Sequence, residues 1–200
     1  MKPLFAILAG AALLALAALP TSAQNAKAKG PGPWVTLFDG KNLDNWTRVG
    51  AATWTVADGA VSGASTGGNG YLISKDSYGD FELSAEFFVD TPANSGIFLR
   101  CQNTAAIDAA NAYEVNIYDT RPDQTYRTGS IVDVAPPLTK VDAGGKWNTF
   151  VITAQGSHLT VTMNGTKTVD TMDTKHARGP VALQYGSGVV RFRNVRIRTL

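Results

Sequence analysis

Cysteine occurs once in the 200 residues, at Cys101, and histidine twice, at His158 and His176. A single cysteine excludes an intramolecular disulfide and a cysteine-based zinc site. Cys101 follows Leu99 at strand spacing and reads as a small buried hydrophobe. The two histidines fall in loop or turn segments without metal-ligand spacing, and both read as surface residues. An excess of one charge is missing too: 18 Lys and Arg stand against 16 Asp and Glu. That balance argues against nucleic acid as a partner. A sustained helical period is absent throughout. What remains is a chain of short alternating runs with turn signals between them.

The apolar run Phe5 to Leu19 follows Lys2 and ends at Pro20, with Thr21-Ser22-Ala23 after it. A basic start, a short apolar stretch and small residues at a cleavage point predict a signal peptide over 1–23, not a membrane span. No cysteine closely follows the run, so a lipoprotein anchor is not indicated. The expectation is a secreted or periplasmic chain with no stable membrane insertion after processing. Residues 24–33 read as a polar linker containing Gly and Pro. Residues 34–200 then form one domain, long enough to bury a sizeable core. Without Lys2 the basic count is 17 against 16 acids, so net charge is near +1.

Trp34 to Phe38 predicts a strand closed at Asp39-Gly40. Residues 53–63 predict a hairpin around Asp58-Gly59. The Gly-rich loop 64–70 lacks the lysine and helix of a phosphate loop and reads as a connection. Further strands are predicted at 71–74, 80–90, 96–101, 113–119, 128–134, 146–154, 158–163, 167–170, 179–184 and 189–198, with a second hairpin at Asn164-Gly165. About a dozen short strands without helices mean an all-β sandwich or barrel, and at this size a two-sheet jelly-roll sandwich. The last strand alternates Arg191, Arg193, Arg196 and Arg198 with apolar residues. Those arginines read as a solvated outer face that discourages edge pairing, or as a basic docking patch.

The stretch YEVNIYD, 113–119, carries the chemistry-bearing pattern. Alternation sends Tyr113, Val115 and Ile117 to one face and Glu114 and Asn116 to the other. GIFLR, 96–100, has the same design, with Phe98 and Arg100 opposite Ile97 and Leu99. Paired side by side, the two strands would set a carboxylate, an amide and a guanidinium on one surface. The plain alternative is a solvated face on which Arg100 and Glu114 form a cross-strand ion pair of about 0.2–1 kcal/mol.

Several spans occur in a specific order: LFDGKNLDNW (37–46), W-x-V-x-DG-x-V-x-G (54–63), Y-G-DFEL-x-x-EF (78–87), NSGIFLR (94–100), YEVNIYD (113–119), TGSIVDVAPP (128–137), K-x-x-x-G-x-WN from Lys140, and GPVALQYGSGVVRFRNVRIR (179–198). In this the chain resembles the 3-keto-disaccharide hydrolase domain family, the 3-keto-glucoside hydrolases, over residues 34–200. The resemblance implies a concanavalin A-like lectin/glucanase sandwich, bacterial export, and a small glycoside as substrate. It implies that NSGIFLR and YEVNIYD line a concave sheet face. Arg100, Glu114, Asp119 and Lys140 match the family pattern, and Asn94, Asn116, Trp147, Gln184 and Tyr185 fall where substrate contacts are expected. Two departures stand out. Asn116 replaces the usual glutamine, and LQYG replaces LQ-x-HG, so Tyr185 stands near the place of a histidine.

A glucoside oxidised at carbon 3 has an acidic hydrogen on carbon 2. Its cleavage by elimination needs one base, donors for an oxyanion on carbon 3, and a proton for the leaving oxygen. The expected roles are Glu114 as base, Arg100 and Lys140 as oxyanion donors, and Asp119 orienting one of them or holding a metal. Tyr185 or a water would serve the leaving group. No cofactor is required; a divalent cation such as calcium has Asp119 and Asp123 as possible oxygen ligands. A conventional glycosidase would use Glu114, Asn116 and Asp119 as E-x-N-x-x-D, but residues five apart point to opposite faces of a regular strand. A non-catalytic carbohydrate-binding module, with Trp46, Trp54 and Trp147 for stacking, is the alternative from another functional class.

Overall fold

The computed structural model describes residues 30–200. The expected signal peptide and the first part of the linker, 24–29, lie outside the described residues. Thirteen strands follow in order: β1 Val35–Phe38, β2 Trp46–Gly50, β3 Thr53–Ala57, β4 Ala60–Ala64, β5 Gly70–Ser74, β6 Phe81–Val89, β7 Asn94–Leu99, β8 Tyr113–Ile117, β9 Lys146–Gln155, β10 His158–Met163, β11 Thr166–Met172, β12 Ala182–Ser187 and β13 Val190–Thr199. The one helical piece among the described residues is a 3-10 turn, Gln124–Tyr126, capped by the Asp123 side chain.

The strands build two antiparallel sheets, as the pattern predicts for an all-β jelly roll. The larger runs β11-β10-β9-β6-β13-β4-β3, with β1 also on β13. The smaller runs β2-β5-β12-β7-β8. Asp58 and Asn164 take positive φ, 52° and 50°, at the two hairpin turns read from their Asp-Gly and Asn-Gly pairs. The core lies between the sheets. Phe81, Leu83, Ala85 and Phe87 of β6, Phe150 and Ile152 of β9, and Phe192 of β13 pack from one side. Ile97, Leu99, Tyr113, Val115, Ile117 and Leu183 pack from the other. At about 1.5–3 kcal/mol per large buried apolar side chain, this interior holds the sandwich without a disulfide.

Three local expectations are corrected. Residues 128–134 form no strand of their own; they run beside β8 through an isolated bridge between Val115 and Ile131. His176 is buried, because the loop bearing it closes over the end of the sandwich against Tyr113. The β13 arginines are not a free basic patch. Arg193 and Arg198 pair with Glu86 and Glu82, and Arg191, Arg193, Arg196 and Arg198 lie over the rings of Trp147 and Trp34.

Candidate functional site

The smaller sheet offers its outer face. In its register Phe98 lies between Glu114 and Ala182, and Gly96 lies between Asn116 and Gln184. Tyr113, Val115 and Ile117 are all in the core, so Glu114 and Asn116 stand outward. Gly96 is the bare floor between them. A Cβ there would come within 3.4 Å of both Glu114 Cγ and Gln184 Oε1, so these two side chains lean over the glycine from either side.

Glu114 is half-buried, and among the described residues its carboxylate accepts no hydrogen bond from the protein. Burial pushes its pKa up to about 7; Arg121 pulls it down, while the Asp133 and Asp108 charges push it further up. A carboxyl with that value shares its time between base and acid near neutral pH, the condition that suits proton transfer. Arg121 belongs to the loop after β8. The sequence reading passed over it because nothing local marks an arginine in a polar loop as facing a strand before it.

Beside Glu114 runs a row of polar groups lacking partners among the described residues. Asn116 gives its Nδ2 to the Tyr126 carbonyl, which leaves its buried Oδ1 unpaired. Gln184 Oε1 and Ser130 Oγ are likewise buried and unpaired. Asn116 N donates to Ser130 O at 3.1 Å and Val132 N donates to Glu114 O at 3.0 Å, so the register sets Ser130 beside Asn116. Buried polar atoms are nearly always paired, so these three in one row leave hydrogen-bonding capacity that the described residues do not fill.

Of the other expected residues, Asn94 begins β7 on the Gly96 side of the strand, its amide packed where a Cβ on Gly186 would fall, 3.0 Å away. Arg100 does not join Glu114. It takes φ of 52°, which breaks the strand alternation. Its buried guanidinium donates to the carbonyls of Gly79, Gly156 and His176 at 2.9, 2.8 and 3.0 Å, and meets Asp80 at 3.3 Å. Lys140 is exposed and acts on Asp142; it is not among the charges that act on Glu114. Asp119 is fully engaged in holding loops. It accepts from Thr128 Oγ1 at 2.6 Å, from Ala143 N at 2.9 Å and from Gly144 N at 2.9 Å.

Trp147 pairs with Phe88 in the larger sheet, on the far side of the sandwich, with Arg193 stacked 3.9 Å above it. Tyr185 points into the core, its ring filling the space that a Cβ on Gly63 would take. Gln184 and Tyr185 are adjacent in a strand and cannot both face the site. Trp46 and Trp54 are buried, with Trp46 Nε1 donating to Leu37 O at 2.8 Å, so neither offers a stacking platform. Asp123 accepts from Thr125 N at 3.0 Å, and Asp119 accepts from Thr128, Ala143 and Gly144.

On the same sheet, toward β2 and β5, lies a separate groove of about 360 Å³ lined by Thr47, Val49, Ile73, Lys75, Thr104 and Pro180 among others.

Known proteins bear on this arrangement. A 28% identical relative, named 3-keto-disaccharide hydrolase, comes from Bacteroides thetaiotaomicron; the match takes in 58% of this chain and 50% of the relative, so the chain spans about half its length. A solved structure from Parabacteroides distasonis, named as a candidate glycosyl hydrolase, is 25% identical with a TM-score of 0.72, over 84% of this chain and 100% of that one. The carbohydrate-binding module CBM66 from Bacillus subtilis shares the fold, with a TM-score of 0.60 at 20% identity over 76% of this chain and 93% of that one. Residues 33–198 match the model of the 3-keto-alpha-glucoside-1,2-lyase-like domain. The chain belongs to the 3-keto-alpha-glucoside-1,2-lyase-like domain family.

Proposed function

We propose that this chain cleaves 3-keto-glycosides, with Glu114 as the base that removes the hydrogen on carbon 2. The carrying observation is Glu114 itself: a carboxyl raised to about 7, without a hydrogen-bond partner among the described residues, at the edge of a glycine floor. The family supports the substrate class. Arg121 takes over the electrostatic part first expected of Arg100 and Lys140, because among the described residues it is the cation whose charge lowers the Glu114 pKa.

Glu114 takes the carbon 2 proton, and the electron pair passes to the carbon 3 oxygen, where Arg121 stabilises the enediolate. The pair then returns to form the carbon 1–carbon 2 double bond as the carbon 1–oxygen bond breaks. The leaving oxygen gains its proton from water, since Tyr185 is turned inward. Water addition across the double bond regenerates the 3-keto sugar. Asn116, Gln184 and Ser130 supply acceptors for ring hydroxyls.

Aglycone release from a 3-keto-glucoside and from its unoxidised parent tests the reading. Cleavage of the keto substrate alone supports it; cleavage of both means an ordinary glycosidase; tight binding of glycans without cleavage means a binding module. The same assay with added calcium tests Asp119 and Asp123 as cation ligands.

A further inference from the structure

We propose that Ile107, held across the outer face of the smaller sheet by the loop 102–112, ends the substrate site on the β5 side and restricts the enzyme to short glycosides. The proposal rests on the function given above and names the size class of its substrate. The face runs without a break in register from Thr47 on β2 through Ile73, Ala182 and Phe98 to Glu114 on β8. At about 4.8 Å per strand, that is roughly 19 Å of surface.

The loop divides it. Ile107 is 8% exposed and packs in a cluster with Tyr71, Ile73, Phe98 and Ala182, side chains of that same face. Tyr71 Oη donates to Ile107 O at 3.1 Å and fixes the loop from below. The loop is also braced from within. The Asp108 carboxylate accepts from Ala110 N, Asn111 N and Asn111 Nδ2 at 2.9, 2.9 and 2.7 Å. Its two sides meet different spaces: Thr104 lines the 360 Å³ groove, whereas the Asp108 charge acts on Glu114. Ile107 and its neighbours therefore stand as a wall between the groove and the carboxylate.

The base of the loop is closed by Gln102 N donating to Asn111 O at 2.8 Å, so a two-residue turn fits there. The test replaces residues 103–110 by Asn-Gly in the otherwise intact chain. Cleavage of 3-keto-glucosides bearing one, two or three further glucose units is measured for both chains, and binding of the unoxidised gluco-oligosaccharides of equal length is measured by calorimetry. The intact chain is expected to lose about tenfold or more in kcat/KM as the aglycone lengthens. The shortened chain should lose that preference, and Ile107→Ala should move it the same way with the loop kept. Val49→Trp, which fills the groove, should leave the intact chain unchanged and cancel the gain in the shortened one. Equal cleavage of all lengths by the intact chain, or an unchanged preference in both variants, overturns the wall. If no chain cleaves any keto substrate, the proposed reaction fails and calorimetry decides the wall. Tighter binding of the longer glycans only after shortening supports it, and identical binding contradicts it.

Discussion

Arg100 lies two residues beyond Phe98, the direct partner of Glu114, yet its guanidinium is bound by three loop carbonyls, those of Gly79, Gly156 and His176. The left-handed turn at Arg100 separates two residues that strand alternation would put on one face. Arg100 joins the end of β7 to the loop before β6, the β9–β10 turn and the His176 loop. Arg100→Ala is therefore expected to cost about 3 kcal/mol or more in stability, by leaving buried carbonyls unpaired. Urea unfolding reads the loss, and the protein that remains folded should keep near-normal turnover.

Glu114→Gln should lower turnover by about a hundredfold or more, the usual yield of a positioned base. Its effect on stability runs the other way. The folded pKa of about 7 exceeds the ordinary 4.5, so stability from this group is present below about 4.5 and is lost as pH rises through about 7. The amide removes that loss. Above pH 7 the variant should be more stable than the parent by about 1–3 kcal/mol, and equal to it near pH 4. Thermal melts across pH measure this.

The pH dependence of kcat/KM should rise through about 7 as Glu114 ionises in the free protein. Asp108→Asn removes a charge that pushes the value up and should move the inflection to lower pH. Arg121→Ala removes the charge that pulls it down and should move the inflection to higher pH, with lower turnover as well. A profile indifferent to both changes would assign the titration to another group.

Asp119→Ala should act on stability. The carboxylate joins Thr128 to the Ala143–Gly144 backbone, and those donors lose their acceptor. A loss of about 2–3 kcal/mol is expected, read from the urea midpoint.

Most of the fold was legible because turns and alternation are local properties. Asp58-Gly59 and Asn164-Gly165 sit in the two tight hairpins that their dipeptides indicate. Glu114, Asn116 and Gln184 reach one surface because β8, β7 and β12 are neighbours with the expected parity. Arg100 was misread because no residue-type signal announces an arginine in the left-handed region. Trp147 was misread because a β-sandwich has two outer faces, and strand pattern does not say which sheet a strand joins. Tyr185 was decidable, since its neighbour Gln184 already occupied the outward face. Arg121, Ser130 and Ile107 come to the site through loops, whose paths depend on tertiary contacts rather than period.

The central claim is that Glu114 takes the proton from carbon 2. Single-turnover cleavage of a 3-keto-glucoside deuterated at carbon 2, by the parent chain and by Glu114→Gln, tests it directly. A primary isotope effect on aglycone release, with release lost in the variant, is the predicted result. Release at equal rates from labelled and unlabelled substrate, or undiminished release by Glu114→Gln, would contradict it.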